Sequence, residues 1–561
     1  MNKWPAESGD IPTENSTVTS GRMVVAVEFL LIFVLFFVAA GQRAPHVNES
    51  HYLTRSVHFW NPQWCSGDLF LESQEAHPVF HWTIGWISQF VSLPTYAWIS
   101  RVVGWFVLAA GWVFLSNRVL RSQSSVGPVR SSRTGRFGWA LFSVAVAVAL
   151  WSRAHLAGEW VVGGCEAKVP AYALVFFGLG QLATGHYRFA LPFFGLAASF
   201  HPLVGGWALV AIFIAWLCDT ERPTMERLVL PAAGALCLAA PGVIAALRLD
   251  AGVDPEVVKQ AHRIYVFKRL GHHLLLAKFA TINIVRHLVL IAAWLGLWRF
   301  LAKRNLVDRR LQRVNRFVLG CVLLAATGAV IELITHRNPY ICSDWMRYYW
   351  YRMTDSMVPV GFAFCLVTWI TRSSERETEA EKLPTGNRGW AFVISLVLIA
   401  VSTFSTFAKH TKDRRAPGDM QGRTRNRSIE DVRQDDVDWK AICAWCRENT
   451  PEDAMFLTPS YNQTFKWYAH RAEFSTWKDT PQDSNSIVQW NERRRRLLSM
   501  GFDRLRPKPT GKELGEYFRE ANIQWVIVAR HYGEAHWHLQ QPQEFRLVKQ
   551  NESYQLFEFV K

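Results

Sequence analysis

Acidic side chains in the polar segments between the long apolar runs are the first candidates for chemistry in this chain. Glu49 and Asp68 follow the first apolar run, and Glu159 and Glu166 occupy a later polar segment. A carboxylate beside a membrane span is costly unless it stays hydrated or paired. These four residues are therefore predicted to be catalytic.

Basic and polar side chains accompany these acids. The residues predicted to bind substrate are Asn48, His51, Lys168, Arg269, His272, His273, Arg347 and Arg352. A carboxylate can remove a proton from an attacking hydroxyl, and cations can stabilise the charge that develops on a leaving phosphate. The combination indicates a reaction on a lipid-linked phosphate. An interface salt bridge or a snorkelling side chain is the alternative for each residue taken alone.

Glu49 is the preferred general base. It follows the first apolar run closely, and Asn48 and His51 are near enough in sequence to orient it. Its aromatic neighbourhood would desolvate it and raise its pKa toward the working pH. The alternative bases are Asp68, Glu159 and Glu166.

The phosphate is expected to meet an arginine of the segment WMRYYWYR. Arg347 and Arg352 both lie in it, and the planar fork of arginine matches phosphate oxygens. His272 and His273 are interpreted as substrate contacts, with a zinc pair as the alternative. No metal site is predicted, because the CxxC motif at 443–446 lacks a second pair or a histidine at zinc spacing.

The composition is that of a membrane protein. Half of the 561 residues are hydrophobic and only 19% are charged, which is low for a soluble protein. The apolar residues form runs long enough to cross a bilayer as helices. The net charge of +16 lies largely in short segments between these runs, where it sets topology. No nucleic acid partner is therefore predicted.

Hydropathy predicts a mainly α, polytopic helical bundle of about eleven spans. Residues 1–22 are expected to be a disordered cytoplasmic N-terminus, and 23–407 the transmembrane domain, with a large first outer loop at 42–95. The Arg-rich segments 118–136 and 303–316 are assigned to the inner side. An odd number of spans then places the C-terminus outside the cytoplasmic (inner) membrane.

The C-terminal region reads as soluble. Residues 408–437 are predicted to be a linker, and 438–561 a small α/β extracytoplasmic domain. A helix at 438–448 and strands at 454–458, 525–529, 545–549 and 554–560 are expected, the last two as a hairpin. The ERRRR run at 492–496 is interpreted as a solvated helix face, with a contact to anionic lipid as the alternative.

The order of these features resembles the GT-C superfamily of integral membrane glycosyltransferases. The motifs that carry the resemblance are Asn48-Glu49 after the first span, Glu159 with Glu166-Ala-Lys168, Ala198-Ser-Phe-His201-Pro202, and Arg269-Leu-Gly-His272-His273. The tail motif TFKWYAHRAEFSTWKDTPQD, at 464–483, resembles bacterial multi-pass proteins that carry a domain of unknown function.

The resemblance implies transfer of a sugar from a polyprenyl-phosphate donor to an acceptor outside the cytoplasmic membrane. Membrane lipid, the lipid-linked sugar and an unidentified acceptor are the partners it implies. Many members have two acids after the first span, whereas this chain has Asn48-Glu49. No cofactor is therefore predicted, and a divalent metal is left open. The second-loop pattern does not match the metal motif of oligosaccharyltransferases, so that activity is not carried over.

Two other classes of function remain open. A transporter or flippase would place broken helices and ionisable groups near the middle of the membrane, often with internal repeats. Here the acids follow the apolar runs and no repeat is visible. A non-catalytic membrane protein with a tail that binds envelope components is the third class. Convergence of Glu49, Glu159 and Glu166 on one cavity would favour the enzyme, and a failure to converge would remove the basis for catalysis.

Overall fold

The computed structural model describes residues 14–46, 48–120, 138–375, 393–405 apart from 395 and 398, 428–500, 502, 513–530 and 543–560. Residues 1–13 of the predicted disordered N-terminus and 408–427 of the predicted linker lie outside these ranges. The first helix begins at Glu14, so residues 14–22 are helical rather than disordered. No proline follows Pro12 to interrupt that helix.

The fold is mainly helical, and six helices within the described residues are long and apolar enough to cross a membrane. They comprise Met23–Ala40, Leu93–Val119, Glu226–Arg248, Thr281–Lys303, Arg309–Thr335 and Arg352–Thr371. Shorter apolar helices are Trp139–Trp151, Lys168–Ala183, Tyr187–Phe200 and Pro202–Leu217. The number eleven is therefore not confirmed, since a straight helix needs about 20 residues to cross a bilayer. The last predicted span, Trp390–Phe407, lies partly outside the described residues.

The break between two of the shorter helices follows directly from the sequence. One helix ends at Phe200 and the next begins at Pro202, whose missing N–H is tolerated in the first turn. The ring nitrogen Nδ1 of His201 accepts a hydrogen bond from the Val204 N–H at 3.3 Å. A Cβ on Gly205 would lie 2.0 Å from the Ala198 nitrogen, so only glycine permits this tight packing.

The segments that the sequence assigns to the outer side, here called the outer segments, are helical rather than loop-like. The first contains helices Glu49–Trp60, Leu69–Glu72 and Pro78–Thr83, followed by a 3₁₀ turn, Ile84–Gln89. The later outer segments contain Pro255–Arg263, a π-helical turn at Ile264–Arg269, Gly271–Leu274, a 3₁₀ turn at Leu276–Lys278, and Pro339–Met346. Hydropathy alone cannot reveal short helices of mixed polarity, because they lack a long apolar run.

The C-terminal region forms a small five-stranded sheet flanked by helices. The strands are β1 Met455–Leu457, β2 Ala472–Glu473, β3 Trp525–Ala529, β4 Phe545–Gln550 and β5 Tyr554–Phe559, in the order β2-β1-β3-β5-β4. β1 pairs parallel with β2 and β3, and β5 pairs antiparallel with β3 and β4. The predicted hairpin of the last two strands is confirmed.

In the described part of the C-terminal region, four helices accompany this sheet: Ile429–Asn449, Phe465–Ala469, Ser484–Ser499 and Glu513–Glu520. The first begins inside the predicted linker, where Ser428 and Asp431 form a capping box. Aromatic side chains of the tail also pack against the outer helices of the membrane part. Trp467 joins the apolar cluster around Leu53, and Trp490 joins Ile264. The tail therefore covers the outer helices.

Candidate functional site

A polar cavity of about 610 Å³ lies between the outer segments of the membrane part and the tail. Its aromatic lining consists of Tyr52, Trp160, Tyr265, Tyr349, Tyr461 and Trp477. Its polar lining consists of His46, Asn48, His51, Glu159, Glu166, Lys168, His201, Arg269, His272, His273, Arg352, Gln463, Lys478, Thr480 and Gln482. Four cationic side chains therefore face two carboxylates, so the lining carries an excess of two positive charges.

The structure brings most of the predicted site residues to this one cavity. Those that line it are Asn48, His51, Glu159, Glu166, Lys168, Arg269, His272, His273 and Arg352. Three predicted residues do not line it: Glu49, Asp68 and Arg347. The expected convergence of Glu49, Glu159 and Glu166 on one cavity is therefore met by Glu159 and Glu166 but not by Glu49. The roles of all twelve in chemistry stay predictions, but their positions now distinguish them.

Glu159 and Glu166 lie on either side of Lys168. The Lys168 Nζ atom is 3.5 Å from a carboxylate oxygen of each glutamate. Arg352 Nε lies 3.1 Å from the other oxygen of Glu159, and the Tyr172 hydroxyl donates to Glu159 at 3.2 Å. Among the described residues, Glu159 thus forms ion pairs with two cations and Glu166 forms one, with Lys168.

Burial raises the pKa of Glu166 above its ordinary value, although Lys168 and the Asn48 amide oppose the rise. The Asn48 side-chain amide donates to Glu166 and its carbonyl accepts from Lys478. A carboxylate whose pKa lies nearer neutral pH is a better proton acceptor in a catalysed step. Glu166 is therefore a buried carboxyl of the cavity lining with a raised pKa.

The backbone that carries Glu159 is fixed by Asp355. This buried carboxylate accepts hydrogen bonds from the N–H groups of Leu156, Ala157 and Glu159, at 2.5, 2.9 and 3.1 Å. His273 Nδ1 lies 2.6 Å from the Ala157 carbonyl oxygen. The position of the segment that carries Glu159 therefore depends on contacts from two helices that are distant in sequence.

Glu49 is fully buried, and the Nε and Nη2 groups of Arg101 donate hydrogen bonds to its two carboxylate oxygens. The backbone N–H groups of His46 and Cys165 donate to the same carboxylate at 2.6 and 2.9 Å. A Cβ on Gly164 would lie 2.8 Å from Glu49 Oε1, so a glycine at this position lets the backbone come close to the Glu49 carboxylate. These contacts engage both carboxylate oxygens, and Glu49 does not line the cavity, so its role as the general base stays a prediction. They join the first outer segment, the second outer segment and a membrane helix.

Asp68 is buried in a cluster that attaches the tail. It caps helix Leu69–Glu72 by accepting from the Phe70 and Leu71 N–H groups, and its other oxygen lies 3.0 Å from Lys466 Nζ. Lys466 also pairs with Glu473 at 2.9 Å and with Asp479 at 2.6 Å. Asp68 therefore helps to attach the tail to the first outer segment.

Arg347 belongs to a separate cluster. Its Nη1 atom lies 2.6 Å from Asp250 and contacts His262, whose Nδ1 is 2.7 Å from Asp344. Asp250 also accepts from the Ser484 hydroxyl at 2.6 Å. Of the two arginines expected to meet a phosphate, only Arg352 therefore reaches the cavity.

The opposite side of the cavity is basic and aromatic. Arg269 Nε donates to the Thr480 hydroxyl at 2.9 Å, and Arg269 lies 5.5 Å from the Trp477 ring centre. Burial, followed by the charge of Arg269, lowers the pKa of Lys478 to about 8. Burial also lowers the pKa of His273 to about 3 and lowers that of His272, so both are neutral at pH 7.

Sequence reasoning missed the contribution of the tail to the cavity. Lys478, Thr480 and Trp477 all belong to the segment WKDT, which carries no recognised motif for binding. An aromatic residue next to a lysine is a weak signal on its own.

Among the described residues, no group of three or more His, Cys, Asp or Glu side chains could hold a metal ion.

The comparison with protein families locates one domain within the tail. Residues 437–497 match a family described as a domain of unknown function (DUF6798). This segment includes Lys466, Asp479 and the cavity residues of the tail. No curated protein matches the chain.

Proposed function

We propose that the protein is a membrane glycosyltransferase of the GT-C type, which moves a sugar from a polyprenyl-phosphate donor to an acceptor outside the cytoplasmic membrane. The observation that carries this proposal is the cavity itself. It combines two carboxylates, four cations and several aromatic rings beside helices long enough to span a membrane. Cations suit a phosphate, aromatic rings suit the faces of a sugar, and a carboxylate suits proton removal.

In the proposed reaction Glu166 is the general base. It takes the proton of an acceptor hydroxyl, whose oxygen attacks the anomeric carbon of the donor sugar. The bond between that carbon and the phosphate oxygen breaks, and the bonding electrons leave with the polyprenyl phosphate. Arg352 and Lys168 stabilise the charge on that phosphate. Glu159 holds both cations in place through its ion pairs.

The proposal includes a topology. We infer about eleven crossings, with the N-terminus in the cytoplasm and the cavity and tail on the outer face of the inner membrane. The positive charge of the segments at 118–136 and 303–316 supports this orientation, because short basic loops remain inside. The shorter apolar helices would cross as a group, supported by their neighbours.

The test compares two glutamine variants of the purified protein in nanodiscs. Glu166→Gln should lower the rate of transfer from a polyprenyl-phosphate sugar by about 10²–10⁴-fold, the usual effect of losing a general base. Glu256→Gln is the matched control, because Glu256 is 76% exposed and pairs only with Lys259. A Glu166→Gln rate close to that of the control would refute the assignment of the base.

A further inference from the structure

The two cations on the basic side of the cavity differ from the two on the acidic side. Lys168 and Arg352 are engaged by carboxylates. Lys478 and Arg269 instead contact the neutral side chains of Asn48 and Thr480, and neither forms an ion pair within the part of the chain that the structure describes. A buried cation without a counter-charge is costly. A ligand that brings a negative charge would remove this cost.

We propose that Lys478 of the tail and Arg269 of the membrane part bind the phosphate group of the ligand in addition to Lys168 and Arg352, so that the domain of unknown function completes the site. This inference rests on the proposed function and assigns a role to the domain. The planar fork of Arg269 suits two phosphate oxygens, and the ammonium of Lys478 suits a third. The phosphate thereby bridges two parts of the chain that lie more than 200 positions apart.

The attachment of the tail sets the position of Lys478. The next residue, Asp479, pairs with Lys466 at 2.6 Å and with His51 Nδ1 at 2.9 Å. His51 lies on helix Glu49–Trp60 of the membrane part. On the other side of Lys478, the indole N–H of Trp490 donates to the Thr476 carbonyl at 2.8 Å. The lysine is therefore held at the cavity from both sides.

The chemistry of the ligand follows from this lining. Two cations without carboxylate partners face a phosphate, and the rings of Trp477 and Tyr461 offer apolar surface beside it. The phosphate could arrive on a polyprenyl chain or as free inorganic phosphate. Comparison of farnesyl phosphate, farnesol and inorganic phosphate as probes separates these sources.

Binding of these probes to the full-length protein in nanodiscs tests the proposal. Lys478→Gln and Arg269→Gln should each weaken farnesyl phosphate binding by about 10- to 100-fold, the usual effect of losing one charge-assisted contact. Lys478→Arg should recover most of the affinity, and farnesol should bind equally to all variants. Arg495→Gln is the control, since Arg495 is exposed and pairs with Glu492. It should change the affinity less than twofold.

The unliganded Lys478→Gln protein should retain the thermal stability of the parent, because the lysine has no ion pair to lose. A large drop in stability would make Lys478 a structural residue and overturn the proposal. Unchanged farnesyl phosphate affinity in Lys478→Gln would overturn it as well. If inorganic phosphate binds as tightly as farnesyl phosphate, and this binding depends on Lys478, the result would support the subsite and identify free phosphate as its ligand.

The outcomes of the two proposals are distinguishable. Lys478-dependent phosphate binding without any sugar transfer would refute the glycosyltransferase and leave the subsite. Sugar transfer with a donor affinity that is independent of Lys478 would refute the subsite alone.

Discussion

Replacement of Lys466 by methionine should detach the tail from the outer helices. Lys466 is only 3% exposed, and its Nζ atom lies 3.0, 2.9 and 2.6 Å from Asp68, Glu473 and Asp479. Methionine has a similar length but no charge, so three buried carboxylates would lose their shared counter-ion. Burial already raises the pKa of Glu473 to about 7, which makes this carboxyl the first to take up a proton when the lysine is absent.

The size of the effect follows from these contacts. Each pair has a gross attraction of about 5 kcal/mol at an effective dielectric constant of about 20, and desolvation offsets much of it. Removing one partner of a buried ion pair usually costs about 3–5 kcal/mol. The matched control is Lys440→Met, because Lys440 is 38% exposed and pairs with Asp436 within one helix. That pair contributes less than about 1 kcal/mol.

Hydrogen–deuterium exchange measures the docking directly. Amides of the tail segment 464–483 and of helix Glu49–Trp60 should exchange at least about 10²-fold faster in Lys466→Met, since 1.4 kcal/mol corresponds to a factor of ten. Lys440→Met should leave both segments protected. Equal protection in the two variants would show that the buried cluster does not hold the tail, and the reasoning would be refuted.

Three further predictions follow from the site. Farnesyl phosphate binding should weaken as the pH rises through about 8, because Lys478 loses its proton there. Lys478→Arg should remove this dependence. Besides burial, the charged groups that set the pKa of Lys478 are Arg269, Glu166, Asp479 and Lys168. Glu49→Gln should lower thermal stability through the loss of the Arg101 contact, yet the folded fraction should keep a turnover within about tenfold of the parent; a 10²-fold loss without destabilisation would restore Glu49 as the base. The topology can be tested in intact cells that produce the protein without the exposed Cys218 and Cys237. An impermeant thiol reagent should label Ser66→Cys and Ser499→Cys, since both positions are exposed, and should not label Lys303→Cys. The opposite labelling pattern would invert the proposed topology.

Much of the site could be predicted because its residues share a local signal. Glu159, Glu166 and Lys168 lie close together in one polar segment after an apolar run, and His272 and His273 follow Arg269 in another. Polar segments between spans on the same side of a membrane are brought to one face, so their charged residues meet. That geometry requires no knowledge of the packing between helices.

The different positions of Glu49 and Lys478 could not be predicted in the same way. Glu49 is buried because Arg101, inside an apolar run, reaches it across 52 positions. Lys478 reaches Asn48 across 430 positions, through the docking of a tail that hydropathy treats as separate. Such long-range pairs depend on tertiary packing and leave no periodic pattern in the sequence. The predicted number of spans depends on packing in the same way, since the shorter apolar helices fall below the length that a straight helix needs to cross a bilayer.

The fate of a labelled donor in proteoliposomes tests the central claim most directly. The wild-type protein would be reconstituted with a polyprenyl-phosphate sugar that carries tritium in the sugar, together with an envelope extract as acceptor. A glycosyltransferase should separate the label from the lipid and release polyprenyl phosphate in equal amount, and Glu166→Gln should slow this release by about 10²–10⁴-fold. Label that stays on the lipid and crosses the membrane intact would indicate a flippase and contradict the account.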